Sequence, residues 1–354
     1  MKVLQVCAYA APYEGNFMKS LGELERRLKE KGVETVYAFP ESAADIPWCR
    51  QLAQRAKVYF LPLSKARIRP ATYRALRSIY RENPDIEVAH SHFELYDVPV
   101  EKEAPRGVKV FWHLHDAIES FTDMRSRLIN KVQYGLMHGK ATLLSVSEKH
   151  MSYAVKLGFP ESRAVWVPNG IDTERIRFTD RDYADRKYDF LMFGWGYERK
   201  GVDICVKAVR SMDTPVRVAV IGGNDTAQRI AEEFGDVPGV EVLSPVEDVN
   251  ELYNDSKCFL HISRGEGLSY ALLEAVYAGL DVICSDIPEN RFAFEFPSVT
   301  AVKCEDTEDT AHAMTQIAAG GVSDAECRKK SGQAVFEKYS IEKWVENIIE
   351  YYGK

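Results

Sequence analysis

Short runs of apolar and β-branched residues alternate with amphipathic helical patterns along the whole chain. This alternation predicts parallel strands covered by helices on both faces of a sheet. Two sets of about six strands predict an α/β protein with two doubly wound, Rossmann-like domains. The predicted strands are Val3–Cys7, Glu34–Phe39, Val58–Leu63, Val88–His92, Val108–His113, Thr142–Val146 and Val165–Val167, then Phe190–Gly194, Val216–Gly222, Val240–Leu243, Cys258–Ser263, Val282–Ser285 and Ala301–Cys304.

A turn sequence, Pro168-Asn169-Gly170, ends the first set of strands. Pro, Asn and Gly each favour turns, and the charged segment Asp172–Arg186 that follows has few strand-forming residues, as expected of a linker. We therefore predict an N-terminal domain over residues 1–172 and a C-terminal domain over 173–338. The chain then continues into Ile341–Tyr352, which has the pattern of an amphipathic helix.

The composition predicts a soluble globular protein of 354 residues, with 45% hydrophobic and 28% charged residues. No apolar run approaches the length of a membrane span, and the first residues enter a strand without a signal-peptide pattern. The cysteines are odd in number, scattered and free of any Cys-x-x-Cys. These features favour the reducing cytoplasm.

Nine cations and no carboxylate lie between Arg50 and Arg81, although the formal net charge of the chain is −7. Solvated helix faces explain most charge runs, but a run this one-sided also fits a surface that meets anionic phosphate. Nucleic acid is disfavoured because the chain is acidic overall and has no recognisable nucleic-acid motif. An anionic membrane at the inner face of the cell is the better candidate, and the cations expected to cluster there are Arg67, Arg69, Arg74, Arg77 and Arg81.

Two carboxylates eight residues apart, Glu266 and Glu274, stand where a predicted strand gives way to an apolar helix. The first N–H groups of such a helix lack intrahelical partners and can face an anionic ligand. Eight residues are slightly more than two turns, so both carboxylates can address one elongated ligand. Glu pairs at helical spacing are often plain surface charges, but an apolar helix is a poor place for a solvated Glu274.

The segment resembles the Glu-x7-Glu motif of the retaining glycosyltransferase family typified by sucrose synthase and by bacterial mannosyl- and glucosyltransferases. The matching residues are Glu266-Gly267-Leu268-Ser269, Leu273-Glu274-Ala275 and Gly279-Leu280-Asp281-Val282-Ile283. Ser269 replaces a usual Gly, and Asp281 replaces a usual Pro. The resemblance spans nearly the whole chain and implies the family 4-like GT-B fold, in which two domains face a central cleft. It also implies that a final helix, residues 339–354, crosses back to the N-terminal domain.

A second candidate segment, Gly194–Gly201, follows the first strand of the C-terminal domain. Its glycine spacing does not match the dinucleotide fingerprint, which disfavours a nicotinamide enzyme. Arg199 and Lys200 precede an apolar helix, an arrangement suited to a diphosphate as well as to a plain helix start. The resemblance implies an Arg and a Lys for the donor diphosphate. Lys200-Gly201 matches, but Trp195 stands at the usual Arg position, so the role of that Arg either passes to Arg199 or is lost.

In the N-terminal domain, Gly15-Asn16 stands where the family commonly has Gly-Gly before the first long helix, which implies a phosphate or acceptor loop. His90-Ser91-His92 and His113-Leu114-His115 end neighbouring strands, and alternation puts both members of each pair on one face. The four histidines could be structural or could bind a metal. The resemblance singles out His115-Asp116 as the pair near the donor sugar. Asp180-Arg181-Asp182 is Asp-x-Asp in a linker, and we interpret it as solvated charge.

These features together predict a retaining, metal-independent glycosyltransferase that uses a nucleotide-diphosphate sugar as co-substrate and needs no further cofactor. By resemblance, Glu266 and His115 are catalytic, and the acceptor is a glycan or a lipid-linked glycan of bacterial polysaccharide or glycolipid assembly. Two alternatives stay open: a nucleotide-sugar epimerase on the same fold, and a non-catalytic subunit that binds a nucleotide sugar. The residues expected to bind the donor are Arg199, Lys200, Gly267, Leu268, Ser269 and Glu274.

Overall fold

The computed structural model describes residues 1–12, 14–62, 69–115, 124–179, 181–246, 248–321 and 323–353. It divides into two compact units, unit 1 with residues 1–170 and 341–354, and unit 2 with residues 171–340. The domain limits predicted from the sequence, 172 and 338, lie two residues from these divisions. Arg67, Asp116 and Asp180 lie outside the described residues.

Unit 1 is built on a parallel sheet whose strands follow the order β3-β2-β1-β4-β5-β6-β7. The sequence of the strands explains their burial, since each is an apolar or β-branched run bounded by turn residues. The strands are β1 (Lys2–Cys7), β2 (Glu34–Pro40), β3 (Lys57–Leu61), β4 (Ile86–His92), β5 (Lys109–Leu114), β6 (Thr142–Ser145) and β7 (Ala164–Trp166).

Helices cover both faces of this sheet. One face packs against α1 (Gly15–Glu30), α2 (Pro47–Arg55) and the late helix α14 (Ile341–Gly353), which contributes Trp344, Val345 and Ile348 to the core. The other face packs against α3 (Pro70–Glu82), α4 (Asp97–Glu103), α5 (Met124–Leu136) and α6 (Glu148–Lys156). The helix that follows unit 2 in the chain is therefore part of unit 1, as the resemblance implied.

Unit 2 has a second parallel sheet, in the order β10-β9-β8-β11-β12-β13. Its strands are β8 (Tyr188–Phe193), β9 (Val218–Ile221), β10 (Val240–Leu243), β11 (Ser256–His261), β12 (Asp281–Asp286) and β13 (Val299–Lys303). Its helices are α7 (Tyr197–Lys200), α8 (Val202–Ser211), α9 (Gly223–Phe234), α10 (Asn250–Asn254), α11 (Tyr270–Tyr277), α12 (Thr307–Ala318) and α13 (Ala325–Tyr339).

The two parallel α/β sheets predicted from strand–helix alternation are confirmed, and each predicted strand is found with ends shifted by about two residues at most. Strand β3 ends at Leu61 rather than Leu63, because Pro62 follows and has no N–H to continue a ladder. All seven cysteines are free thiols. Within the described part of the chain, the helices are too short or too polar to cross a bilayer.

Candidate functional site

The strand order of unit 2 reverses between β8 and β11, because β9 continues the sheet on one side and β12 on the other. In open parallel sheets, ligands bind beyond the carboxyl ends of the two strands at such a reversal, where the following loops part. The loops in question are 194–201 after β8 and 262–269 after β11. Both segments singled out from the sequence of the C-terminal domain therefore lie at one edge of one sheet.

A cluster of opposite charges connects these two loops. Lys200 Nζ lies 2.5 Å from Glu266 Oε1, and Arg199 Nη1 lies 3.1 Å from the same oxygen. The side chains of Lys200 and Glu266 are 14% and 8% exposed, whereas that of Arg199 is 52% exposed. Two cations and one carboxylate share the edge of the sheet, so the cluster carries a formal charge of about +1.

The electrostatics of the cluster keep Glu266 ionised. Burial alone raises the pKa of Glu266, but the charge of Lys200 and the hydrogen bond that Lys200 donates bring it below its ordinary value. His261 ends β11, and its Nε2 lies 4.0 Å from Glu266 Oε1. Burial lowers the pKa of His261 to about 4, so its imidazole is neutral near pH 7 and Lys200 supplies the positive charge.

Arg264 connects the 262–269 loop with the 194–201 loop and the start of α8. Its guanidinium binds both oxygens of Asp203 at the start of α8, at 2.8 and 3.0 Å, and its Nε donates to Glu305 at 2.7 Å. Its backbone N–H donates to the carbonyl of Arg199 at 2.8 Å. A bidentate Arg–carboxylate pair fixes orientation as well as distance, so Arg264 positions Arg199 and Lys200 beside Glu266.

Gly201 fixes the chain direction immediately after Lys200. Its φ is +75°, and a Cβ built on it would lie 2.4 Å from the carbonyl oxygen of Ile262. Only glycine has no side chain to place in this left-handed conformation against the neighbouring backbone. In the Lys200-Gly201 pair noted in the sequence, the backbone conformation therefore requires the glycine, and the lysine supplies the charge.

Glu274 lies on α11 and is 4% exposed. Its Oε1 accepts a hydrogen bond from the guanidinium of Arg175, which comes from the linker, and its Oε2 accepts one from Tyr253 at 3.3 Å. Ser269 directly precedes the same helix, and its Oγ accepts a hydrogen bond from the N–H of Leu272 at 3.4 Å. The Ser that departs from the family pattern is therefore an N-cap, a role that glycine fills less well.

The other departures from the family pattern have structural explanations too. Asp281, where Pro is usual, accepts hydrogen bonds from Tyr183 at 2.6 Å and from the N–H of Ser323 at 3.2 Å, and so ties the linker to the segment before α13 through one carboxylate. Trp195, where an Arg is usual, is 45% exposed and packs on Phe193. Gly267 and Leu268 lie in the loop between Glu266 and the Ser269 cap, with Leu268 buried.

In unit 1 the strand order reverses between β1 and β4, and the loop after β1 leads to the candidates Gly15 and Asn16. Gly15 begins α1 with φ +58°, a conformation that suits glycine, and Asn16 follows it at partial exposure. Directly after β4, Phe93 and Glu94 have φ of +63° and +31°. Left-handed conformations of residues other than glycine are strained and concentrate near functional sites.

The paired histidines meet on one face of β4 and β5. His90, His92 and His113 are fully buried, with ring nitrogens within 4.8 Å of one another, a spacing that could also surround a metal ion. Burial lowers the pKa of each well below its ordinary value, so these rings are neutral at pH 7. His90 Nδ1 forms a hydrogen bond with Tyr352 Oη at 2.7 Å. His92 forms two, from Nε2 to Gln5 Oε1 at 2.9 Å and between Nδ1 and His115 Nε2 at 3.1 Å.

His115 is the outermost member of this row and is partly exposed at the end of β5. Burial of its ring by the surrounding protein lowers the pKa of His115 to about 3, although a hydrogen bond to Asn169 acts in the opposite direction. The rings of Phe17 and Phe93 lie 5.3 and 4.6 Å from it. Its assignment as a catalytic residue stays a prediction made by resemblance.

Three residues near the carboxylates were not identified from the sequence: His261 beside Glu266, and Arg175 and Tyr253 beside Glu274. His261 could have been found, since it is the last residue of a buried strand at the expected binding edge. Arg175 and Tyr253 are 99 and 21 residues from Glu274 in the chain, and no sequence pattern connects them to it.

The predicted cation cluster is only partly available. Arg74 and Arg81 are exposed on α3, whereas Arg77 binds both oxygens of Glu103 at 2.8 Å. Arg69 is exposed just before the helix. Two other cations of the run are also paired, Arg50 with Asp45 and Arg55 with Glu25. Carboxylates from outside the run thus neutralise part of a charge that looked unopposed in sequence.

Comparison with known proteins assigns both units. The family described as Glycosyltransferase Family 4 matches residues 19–175, and the one described as Glycosyl transferases group 1 matches residues 187–319. A phosphatidyl-myo-inositol mannosyltransferase of Mycolicibacterium smegmatis is 25% identical over 312 residues, which cover 82% of this chain and 78% of that protein.

Solved structures agree on the fold. A glycosyltransferase of Rickettsia africae superposes with a TM-score of 0.81 at 12% identity, covering 99% of this chain and 97% of that one. HepE of Anabaena in complex with UDP superposes with a TM-score of 0.79 at 11% identity, covering 99% of both chains. The chain therefore belongs to the family 4-like glycosyltransferases, with the two Rossmann-like domains of the GT-B fold.

Proposed function

We propose that this glycosyltransferase moves a hexose from a nucleotide-diphosphate sugar to a hydroxyl of a glycan or lipid-linked acceptor, with retention at the anomeric carbon and without a bound metal. The relative named for phosphatidyl-myo-inositol acts on a lipid, and a structural neighbour was solved with UDP. Both names support this combination of donor and acceptor.

The observation that carries the proposal is the cluster of Lys200, Arg199 and Glu266 at the strand reversal of unit 2. A donor diphosphate brings about two negative charges to a cluster whose own charge is about +1. Lys200 and Arg199 would bind the diphosphate and stabilise it as a leaving group, the task that a metal ion performs in other enzymes. Backbone N–H groups near Gly267, Leu268 and Ser269, before α11, would bind phosphate or sugar oxygens.

Glu266 and Glu274 would bind the two other parts of the donor, the transferred sugar and the ribose. Glu274 accepts hydrogen bonds only, and ribose hydroxyls are donors that could share its oxygens with Tyr253 and Arg175. Glu266 would bind sugar hydroxyls and stabilise the positive charge that develops at the anomeric carbon. Its lowered pKa favours this role, because a carboxylate that is ionised through the neutral range can oppose that charge.

Unit 1 would supply the acceptor side of the reaction. Gly15 and Asn16 begin α1 beside the strand reversal, where a backbone or side-chain amide could contact a hydroxyl. His115 would contact the donor sugar, as in the family that it resembles. Arg69, Arg74 and Arg81 would add positive charge toward an anionic lipid surface, with Arg77 contributing less because Glu103 neutralises it.

The test is a screen of nucleotide sugars with and without candidate acceptors, in which free nucleoside diphosphate and the product are both measured. A transferase releases nucleoside diphosphate in step with a glycosylated acceptor, and NMR of the new linkage should show the anomeric configuration of the donor. Conversion of the donor to an isomer that still carries the nucleotide would identify the epimerase instead. Donor binding without any turnover would identify the non-catalytic subunit.

A further inference from the structure

Helix α5 exposes a continuous apolar stripe. Of nine large apolar side chains that are exposed in the described residues, four lie on this one helix: Met124, Leu128, Val132 and Leu136, at 86%, 63%, 37% and 78% exposure. They recur at every fourth position, so each is rotated about 40° from the one before and all share one side of the helix. Scattered surface apolar residues need no explanation, but an aligned stripe of this kind does.

The polarity of α5 is the reverse of what a surface helix normally shows. Its buried residues are Asn130, Gln133 and Tyr134, on the side opposite the stripe. Gln133 Nε2 donates to Asp97 Oδ2 at 3.1 Å and to the carbonyl of Glu94 at 3.4 Å. Tyr134 packs its ring against Trp112 in the core, at 6.2 Å between centroids. Ordinary amphipathic helices bury their apolar side, whereas α5 is attached through Gln133 and Tyr134 and presents its aliphatic side outward.

Positive charge borders the stripe. Arg125, Arg127 and Lys131 are exposed on α5, and no Asp or Glu occurs in the sequence between Met124 and Ser147. Within the described part of the chain, none of these three cations has an ion-pair partner. This contrasts with Arg77 on α3, which is bound by Glu103. An outward apolar stripe beside unopposed Arg and Lys is the pattern of a helix that lies in the interface of an anionic bilayer.

We propose that α5 docks unit 1 on an anionic membrane, with the stripe inserted among the headgroups and acyl chains and the three cations on lipid phosphates. An alternative occupant of an exposed apolar stripe is a second copy of the chain, but two copies would bring six like charges together at that contact. An anionic bilayer can pair its phosphates with the three cations and also accept the apolar stripe. This docking rests on the anionic lipid surface of the proposed function and assigns the main contact to α5, but it requires neither donor nor acceptor.

The test is co-sedimentation of the whole protein with phosphatidylcholine vesicles that contain or lack phosphatidylglycerol. The parent protein should bind only the anionic vesicles and should lose binding by about 0.5 M salt. The double variant Leu128→Gln/Leu136→Gln should weaken binding by about tenfold or more, since partial burial of two leucines is lost. Arg127→Gln/Lys131→Gln should weaken binding to a similar degree at low salt, and the binding that remains should depend less on the salt concentration.

Matched variants separate α5 from other surfaces. Phe336→Gln removes an apolar side chain of 41% exposure from α13 in unit 2, and Arg74→Gln/Arg81→Gln removes two exposed cations from α3. Phe336→Gln should bind as the parent does, and the α3 variant should lose less affinity than the α5 charge variant. Brominated anionic lipid should quench the added fluorescence of Leu128→Trp, an effect that a purely electrostatic contact would not produce.

Three results would overturn the proposal: a parent protein that ignores anionic vesicles at low salt, undiminished binding by Leu128→Gln/Leu136→Gln, or a concentration-dependent dimer in solution that the same double variant disperses. The last result would assign the stripe to a second copy. Thermal unfolding and nucleotide binding of every variant serve as folding controls. Because nucleotide binding is measured apart from vesicles, failure of the docking proposal and failure of the proposed function give different results.

Discussion

Lys200 donates a 2.5 Å hydrogen bond to Glu266, and both side chains are largely buried at the carboxyl edge of the sheet in unit 2. Burial makes the two charges depend on each other, because either one alone would lose its nearest and most buried partner. A single replacement at either position therefore changes stability as well as function, and a double replacement is needed to distinguish the two effects.

We expect Glu266→Ala to lower turnover more than donor affinity, because its proposed role is to stabilise charge that develops only in the transition state. Steady-state kinetics and calorimetry on the same preparation measure the two effects. Lys200→Met alone should destabilise unit 2 by about 3 kcal/mol, because the buried Glu266 then keeps only the more exposed Arg199 as an ion-pair partner, and Lys200→Met/Glu266→Gln should recover much of that loss. Equal losses of turnover and affinity in Glu266→Ala would argue against a transition-state role.

Glu274→Ala should mainly weaken nucleotide-sugar binding, by roughly 1.5–3 kcal/mol, because ribose loses a charged hydrogen-bond acceptor. Calorimetric titration with the donor measures this loss. Glu326→Ala is the control, since this carboxylate is 70% exposed on α13. A Glu274→Ala protein that is folded and binds donor as tightly as the parent would show that ribose lies elsewhere.

Gly201→Ala should destabilise unit 2 and displace Lys200, since the added Cβ meets the Ile262 carbonyl oxygen at 2.4 Å in a left-handed conformation. Gly320→Ala provides a control in the same unit, because Gly320 has φ +90° but nothing within 4 Å of its Cβ position. The control should lose about 1–2 kcal/mol from backbone strain alone. Denaturant unfolding should show a clearly larger loss for Gly201→Ala, and equal losses would mean that Ile262 moves aside.

Unit 1 should lose stability as the pH falls below about 6.5. Burial lowers the pKa of His90, His92 and His113 in the fold, so the unfolded chain binds protons that the folded chain does not. Stability therefore rises with pH across this window, by up to about 4 kcal/mol per pH unit for three histidines. Unfolding free energies between pH 7 and 5 should show a smaller slope in His113→Phe.

Activity should survive EDTA, since Lys200 and Arg199 are proposed to stabilise the leaving diphosphate without a metal. Activity before and after chelation, together with elemental analysis of the purified protein, measures this. A complete loss that added metal reverses would contradict the prediction. It would direct attention to the ring nitrogens of His90, His92 and His113.

The sequence predicted the sheets well because strand and helix periods are local properties of the chain. The same holds for the edge location of Glu266 and Lys200, which follows from their positions after strands β11 and β8. Parallel sheets place such positions at one edge regardless of the loops between them. The meeting of two separate segments of unit 2 could therefore be expected from the order of strands and helices alone.

Contacts between distant segments were not predictable in the same way. Arg175 reaches Glu274 from the linker, and Glu103 neutralises Arg77 from another helix. Both are long side chains whose partners depend on tertiary packing. The apolar stripe of α5 was not recognised either, because a helical period shows that a helix has two sides but not which of them is buried. The prediction of a charged surface on α3 counted the cations of one segment and omitted the carboxylates that fold against it.

Helix α14 has a consequence for how the protein is made. Its Tyr352 hydroxyl binds His90 and accepts from Gln5, and its apolar side covers a core that β1, β2 and α1 begin. The ribosome releases these early strands long before α14, with the whole of unit 2 between them. Unit 2 is continuous in the chain and can finish first, so unit 1, whose strands emerge ahead of it, is completed last. During synthesis, nascent unit 1 keeps an uncovered apolar patch that a chaperone could bind.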